Sequence, residues 1–138
     1  MPRPLRARHP SPVLFHTSIA LTVAALGVLG LWLWLGGDWA WPQWAGAWLL
    51  AVNVTAFGYY GLDKAQARRA ARRVPEVVLH GLALAGGSLG AYASMRLFRH
   101  KTVKGSFRVI FWLIVAAQVV FALWVARELW RTHPAAPA

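Results

Sequence analysis

The chain has 138 residues, of which 58% are hydrophobic, and it contains nine tryptophans. Its 15 Lys and Arg residues are set against only 4 Asp and Glu residues, which gives a formal net charge of +11. Soluble domains are usually about 45–50% apolar, so this composition indicates a membrane protein. Cysteine is absent, which excludes disulfides, thiol nucleophiles and thiolate metal ligands.

The chain opens with a short basic arm and a long apolar run. Residues 1–12 are rich in Pro and Arg, and we expect a flexible arm because proline disfavours regular helix. The apolar run at residues 13–36 is longer than the roughly 7–15 apolar residues of a signal peptide. We therefore predict a retained first membrane helix, which ends at Gly36-Gly37-Asp38.

A second apolar segment covers residues 41–62, with Pro42 at the tolerated position near its start. Tryptophans cluster around the turn before it, and we interpret them as interfacial anchors because Trp favours the headgroup level. These are Trp32, Trp34, Trp39, Trp41, Trp44 and Trp48. We expect residues 64–73 to continue as helix because Ala and Arg favour it. Pro75 and Glu76 fit the first turn of the next helix.

The third apolar segment, residues 77–95, has two interpretations. Gly86 and Gly87 lie near its middle, so it could enter the membrane, break there and return as a re-entrant hairpin. Alternatively it spans once, and Gly86, Gly87 and Gly90 let a neighbouring helix approach closely. A fourth apolar segment covers residues 109–126, and we expect the tail at residues 132–138 to be disordered.

The fold class predicted is all-α. We expect a polytopic integral membrane protein with a helical membrane domain at residues 13–131. It would be a bundle of about four hydrophobic helices, the third of them rich in glycine.

The distribution of Lys and Arg bears on the third segment. The arm and residues 64–73 are basic, whereas the first loop carries no Lys or Arg, which places the arm and residues 64–73 in the cytoplasm. Four simple crossings would put the basic residues 96–108 outside, against this rule. A hairpin would return them to the cytoplasm, and both alternatives stay open.

Two basic segments supply the candidate anion-binding residues. Arginine suits this role because its planar fork binds phosphate through two hydrogen bonds. The candidates are Lys64, Arg73, Arg99, His100, Lys101 and Lys104. The alternative is a solvated charge run that only sets orientation, with Asp63 and Glu76 as local salt-bridge partners.

Catalytic residues cannot be assigned from the sequence, although Asp63, Glu76 and His100 are the candidates for acid/base groups. His80 lies four residues after Glu76 and can share its helix face. This pair supplies only two metal ligands, and the other histidines stand at no ligand spacing. No phosphate loop or dinucleotide fingerprint is present. We expect neither a bound metal nor a cofactor.

Between Asn53 and Phe107 the sequence resembles domain-of-unknown-function family 1294 (DUF1294), a family of small bacterial and archaeal membrane proteins. The residues that carry the resemblance are Asn53, Phe57, Tyr60-Gly61-Leu62-Asp63-Lys64, Ala67, Arg73-Val74-Pro75-Glu76, Leu79, Gly86-Gly87, Gly90-Ala91, Met95, Arg99-His100-Lys101-Thr102, Lys104 and Phe107. The resemblance implies a helical membrane domain with a family-like core at residues 53–126, and no established activity. Some members carry a cold-shock domain, which a twelve-residue arm cannot form, so nucleic acid is not expected as a partner.

We therefore expect a small multi-pass protein of the bacterial cytoplasmic (inner) membrane. It would bind an anionic lipid headgroup or a phosphate-bearing ligand at the cytoplasmic face, with membrane lipids as partners. One alternative is a membrane-embedded, transferase-like enzyme acting on a lipid-soluble substrate. Another is a scaffold for other membrane proteins. A homo-oligomer or a membrane-protein partner is compatible with all three interpretations.

Overall fold

The computed structural model describes residues 11–69, 73–98 and 105–132. The regular elements in these ranges are all helical, as predicted. They are α1 (Pro12–Leu35), α2 (Trp41–Arg68), α3 (Glu76–Leu82), a π-helical turn (Ala83–Gly87), α4 (Ser88–Leu97) and α5 (Gly105–Thr132).

Three helical stretches in the described part of the chain are long and apolar enough to cross a membrane. They are Pro12–Leu35, Glu76–Leu97 and Gly105–Thr132. α2 contains the whole of the predicted second apolar segment and is not among these three. It is the helix on which α1, α3 and α4 pack, so its side chains face protein more than those of α1 or α5.

α1 begins and ends where its local sequence dictates. The Ser11 hydroxyl oxygen accepts a hydrogen bond from the Leu14 N–H at 3.3 Å, and Pro12 occupies the first helical position, where a missing N–H has no cost. Gly36 ends the helix with a φ of 76°, a conformation that glycine adopts without strain.

α2 ends earlier than the sequence indicated. The expectation that the helix continues through Arg73 is wrong, because α2 stops at Arg68 and Arg73 is not helical. The Arg69 N–H is shared between the carbonyls of Ala65 and Gln66, as is common at a helix terminus. Arg73 instead turns back toward α2, and the next helix begins at Glu76 as predicted.

α1 and α2 form an antiparallel pair. The Tyr59 hydroxyl donates to the His16 carbonyl at 2.9 Å near the start of α1. Further along α1, a Cβ on Gly27 would lie 3.2 Å from the Ala51 Cβ. Contacts therefore move backward along α2 as the chain advances through α1.

α3 also runs antiparallel to α2. The Tyr60 hydroxyl donates to the Leu79 carbonyl at 3.2 Å. Six residues later, the Ala85 carbonyl accepts from Trp48 Nε1 at 3.1 Å. As the chain advances from α3 into the π-helical turn, its contacts on α2 move backward by twelve residues.

The chain reverses at the π-helical turn, and α4 returns along α2 in the parallel direction. Gly86 has a φ of 110°, which few residues other than glycine adopt. The Gly90 N–H then donates to Asn53 Oδ1 at 2.7 Å, and the Phe98 ring lies 5.6 Å from that of Phe57. α3 and α4 are thus the two arms of a hairpin, so the stretch Glu76–Leu97, although long and apolar enough to cross a membrane, is not one straight helix.

Glycines allow this hairpin to lie directly on α2. A Cβ on Gly90 would overlap the backbone carbonyl of Asn53, and one on Gly87 would lie 2.8 Å from the Ala56 Cβ. Any larger residue would force the helices apart. The hairpin tip lies roughly midway along α2, since the ten residues of α4 extend about 15 Å at 1.5 Å per residue.

Breaking a helix leaves carbonyl groups without their usual partners, and α5 supplies two of the replacements. Gln118 Nε2 donates to the Ala83 carbonyl at 2.8 Å and to the Leu84 carbonyl at 3.0 Å. Gln118 Oε1 lies 2.6 Å from the Ser88 hydroxyl, which donates to it. One amide therefore joins α5 to both arms of the hairpin.

α2 satisfies the remaining groups of the tip. Asn53 Nδ2 donates to the Gly86 carbonyl at 2.9 Å, while Asn53 Oδ1 accepts from Gly90. Trp48 bonds the Ala85 carbonyl. The interpretation of Trp48 as an interfacial anchor is therefore incomplete, because its indole lies two turns inside α2 and donates a hydrogen bond to the hairpin. We call Asn53, Gln118 and Trp48 the tip latch.

α5 runs antiparallel to α2 on the outer side of the hairpin. Near its start, the Phe107 ring stacks on His80 with centroids 4.3 Å apart and approaches Tyr60 at 6.1 Å. Eleven residues later Gln118 reaches the hairpin tip. Phe107 and Phe111 are the buried residues of α5, so most of this helix faces outward.

These directions define two ends of the bundle. The basic end holds the start of α1, the Asp63 end of α2, Phe98 and the start of α5. The tryptophan end holds the turn between α1 and α2. There Trp39 and Trp44 pack edge to face at 5.1 Å, and Trp32 Nε1 donates to the Gly37 carbonyl at 3.1 Å.

The tip latch predicts a specific loss of stability. Asn53→Ala should lower the free energy of unfolding by roughly 1–3 kcal/mol, because it leaves the Gly86 carbonyl and the Gly90 N–H unpaired. Denaturation of the detergent-solubilised protein would measure this. Gln43→Ala, which removes an exposed amide from the same helix, is the control and should change little. Equal stability of the two variants would contradict the latch.

Candidate anion site at the basic end

The best-defined polar contact at the basic end is an ion pair between Asp63 and Arg73. Arg73 Nη2 lies 3.0 Å from Asp63 Oδ2, and Arg73 Nε lies 3.4 Å from Oδ1. The Asp63 side chain is 3% exposed, whereas that of Arg73 is 58% exposed. The guanidinium therefore bonds a buried carboxylate with one edge and presents its remaining surface outward.

This pair fixes the position of Arg73. The hydrogen bonds that Arg73 donates to Asp63 raise the pKa of the Arg73 guanidinium, and the carboxylate's charge adds to the effect. A guanidinium is already charged at all ordinary pH values, so the consequence is positional. The pairing agrees with the expectation that Asp63 serves as a local salt-bridge partner.

Lys64 follows Asp63 on α2 and is partly buried, while Arg68 and Arg69 are exposed at the end of the helix. On the other side of the linker, Val74 is buried against the core. Glu76 is exposed in the first turn of α3, where its charge favours the positive end of the helix dipole. Asp63 and Glu76 both lie close enough to Arg73 to raise the pKa of its guanidinium.

The other predicted anion-binding residues, Arg99, His100, Lys101 and Lys104, lie outside the described residues, as does His100 in its role of catalytic candidate. The structure does describe the residues on either side of this segment. Phe98 packs on Phe57 and lies close to Gly61, and Phe107 contacts Tyr60. Both flanks therefore lie at the basic end, beside the turns of α2 that precede Asp63.

His80 sits beside this region and stacks on Phe107. Its Nδ1 is buried and has no hydrogen-bond partner within the described ranges. Among residues 11–69, 73–98 and 105–132, no three His, Asp or Glu side chains form a group that could hold a metal ion. The polar contact that the structure shows at the basic end is the pairing of Arg73 with Asp63.

The glycines named from the sequence fall at the hairpin and not at the basic end. Gly86 makes the reversal, and Gly87 and Gly90 contact α2. The sequence did not single out Gln118, although an amide inside an apolar segment is an available signal, because buried polar groups in membranes need partners. Asn53 was noted only for its part in the family resemblance.

Comparison with known proteins gives the family. The family model described as "Protein of unknown function (DUF1294)" matches residues 53–107. The uncharacterised protein YsdA of Bacillus subtilis (strain 168) is 37% identical over 62 residues, which cover 45% of this chain and 70% of that protein. This chain belongs to the DUF1294 family. No solved structure is similar to it.

The part of the chain matched by the DUF1294 model has a structural meaning. It begins at Asn53 and ends at Phe107, and so includes the whole hairpin, the Asp63–Arg73 pair and both flanks of the second basic segment. α1 and Gln118 lie outside it. The matched unit is thus the hairpin with the half of α2 that carries it.

The Asp63–Arg73 pair should matter more than an exposed ion pair. Asp63→Asn should lower the free energy of unfolding by about 1–3 kcal/mol, because the carboxylate is buried and Arg73 loses its charged partner. Thermal unfolding in detergent measures the effect.

The matched control is Glu128→Gln. Glu128 pairs with Arg131 at 3.5 Å, and both side chains are exposed, so its loss should cost well under about 1 kcal/mol. If Asp63→Asn proved as harmless as Glu128→Gln, the Asp63–Arg73 pair would not organise the basic end.

Proposed function

We propose that this DUF1294 protein is an integral protein of the bacterial inner membrane that binds an anionic lipid headgroup or another phosphate-bearing molecule at the cytoplasmic face. Its two basic segments, residues 64–73 and 96–108, would supply the cations. The observation that carries the proposal is the reversal at Gly86. It returns the chain to the end of the bundle from which the hairpin began, so the described residues of both segments lie at one end.

The outer surfaces of the helices support embedding in a bilayer. The buried residues of α1 are Ala20 and Ala24, and the large apolar side chains of this helix are mostly exposed. α5 has the same character beyond Phe111. Apolar surface of this extent is not sustained in water by a small monomeric protein, whereas lipid chains would cover it.

The charge pattern supports the orientation. Each segment rich in Lys and Arg that precedes α5 has neighbouring residues that the structure describes, and these neighbours lie at the basic end. The turn at the other end carries Asp38 and no Lys or Arg. Tryptophans gather at that second end, as is typical of a membrane interface. The hairpin reduces the charge conflict found in the sequence, because residues 96–108 no longer need to lie outside. Arg127 and Arg131, at the far end of α5, are the basic residues that this orientation leaves on the other side.

An anion is the partner that this arrangement favours. Asp63 and Glu76 are the acidic residues of the basic end, and they stand among many more Lys and Arg residues. Cations held this close raise one another's energy unless counter-charge is present. Phosphate is suited to them because each guanidinium can form paired, charge-assisted hydrogen bonds with it.

Single-cysteine labelling tests the orientation, and the absence of native cysteine makes such variants unambiguous. We expect Ala67→Cys and Ser106→Cys to react with a membrane-impermeant maleimide from the cytoplasmic side. Gly37→Cys should react from the opposite side. All three positions are exposed. Labelling of Ser106→Cys from the side that labels Gly37→Cys would mean that the hairpin crosses the membrane.

Lipid-dependent stability tests the binding. Phosphatidylglycerol added to the detergent-solubilised protein should raise its Tm more than phosphatidylcholine does, since a ligand that binds only the folded state stabilises it. The triple variant Arg99→Gln, Lys101→Gln and Lys104→Gln should lose most of this difference. Addition of glycerol phosphate shows whether the headgroup alone suffices. An undiminished response in the triple variant would contradict the role of Arg99, Lys101 and Lys104.

A further inference from the structure

A shallow groove opens on α5 next to the basic end. It is lined by Gly105, Arg108, Val109, Trp112 and Leu113, whose spacing of three and four residues places them on one face of the helix. Val109, Trp112 and Leu113 are more than half exposed. The groove therefore has an apolar floor and a single cation near one end.

α4 supplies a second cation beside this groove. The Tyr92 ring lies 6.0 Å from the Trp112 ring, and the Arg96 guanidinium stands 5.8 Å from the centroid of Tyr92, within the range of a cation–π contact. Tyr92 and Trp112 thus form a ring pair that joins the outer surfaces of α4 and α5.

The helix directions place the two arginines on the same side of this ring pair. α4 runs toward the basic end, and Arg96 lies one turn beyond Tyr92. α5 runs away from the basic end, and Arg108 lies one turn before Trp112. Both arginines consequently lie nearer the basic end than the Tyr92 and Trp112 rings do, and apolar side chains lie on the other side of those rings.

Neither arginine forms an ion pair within the part of the chain that the structure describes. The chain has four acidic residues, and all four lie in the described ranges. Asp63 pairs with Arg73, and Glu128 pairs with Arg131. Arg96 and Arg108 are exposed and form no ion pair with a carboxylate in residues 11–69, 73–98 and 105–132.

We propose that this groove binds one anionic phospholipid, whose phosphate lies between Arg96 and Arg108 and whose acyl chain lies along Val109, Trp112 and Leu113. Two guanidinium groups match a phosphodiester, and aromatic rings commonly sit just below the headgroup level. A soluble phosphate would leave the apolar floor uncovered, so the lipid is the better fit. The inference rests on the membrane embedding argued under the proposed function, and it identifies a particular lipid and place.

Native mass spectrometry of the full chain with added phosphatidylglycerol tests the groove. The variant Arg96→Gln with Arg108→Gln should bind phosphatidylglycerol about tenfold more weakly or worse, since it loses two charge-assisted contacts. The matched control is Arg127→Gln with Arg131→Gln, which removes the same charge from the opposite end of α5. Its affinity should stay within about twofold of the original.

The possible outcomes separate this inference from the general proposal. Unchanged binding in the Arg96/Arg108 variant, with loss in the Arg99/Lys101/Lys104 variant, would overturn the groove and leave the proposed function standing. The reverse pattern would support the groove and remove Arg99, Lys101 and Lys104 from the binding site. Equal losses in the groove variant and its control would mean diffuse electrostatic attraction, and the groove would be wrong.

Competition by a soluble headgroup tests the apolar floor. Glycerol phosphate should not displace bound phosphatidylglycerol, because it lacks the chain that covers Trp112 and Leu113. Displacement at comparable concentration would show that the floor contributes nothing and would overturn the assignment to a phospholipid.

Discussion

The fold depends on how the broken backbone of the hairpin is satisfied. Four consecutive carbonyls, from Ala83 to Gly86, accept hydrogen bonds from side chains of neighbouring helices. An unpaired carbonyl in an apolar environment costs several kcal/mol, so a reversal at this depth could not persist without these donors. Gln118 and Asn53 approach from opposite sides, and each amide bonds groups on both sides of the reversal.

The same latch explains why the helices are arranged as they are. α5 meets the rest of the bundle chiefly through the hairpin, and Gln118 is its polar anchor there. α2 meets the hairpin along glycines, which bring Asn53 close enough for its amide to bridge Gly86 and Gly90. Close packing and hydrogen bonding therefore depend on each other, because a bulkier residue at Gly90 would also separate the bonded groups.

Part of this fold was predictable from sequence and part was not. Hydrophobic run length predicted the helices at residues 13–36 and 109–126, and the charge conflict together with Gly86-Gly87 made a hairpin one of two interpretations. The sequence could not choose between them, because a glycine pair serves equally to break a helix or to pack it. The choice is made by Gln118 and Asn53, whose partners in the hairpin are 30 to 37 residues away along the chain.

The sequence likewise predicted only part of the candidate site. Local charge identified Asp63 and Arg73, which are ten residues apart and pair across a short linker. The Arg96 and Arg108 groove was not found, because those residues belong to helices whose relative direction is set by the reversal. A straight third helix would have carried Arg96 away from the start of α5.

The charges at the open end of the hairpin also complement the dipoles of its two arms. α3 begins at this end, where its first turn carries Glu76. α4 ends here, and its last turn carries Arg96. Acidic residues favour the start of a helix and basic residues favour its end, so the two arms carry opposite charges at the same end of the bundle. The helix dipole therefore favours Arg96 at this position even without a ligand.

The dipole does not favour Arg108, because this residue lies in the first turn of α5, where a cation opposes the dipole. A phosphate between the two arginines would offset that unfavourable placement, and this makes Arg108 the residue on which the lipid interpretation chiefly depends.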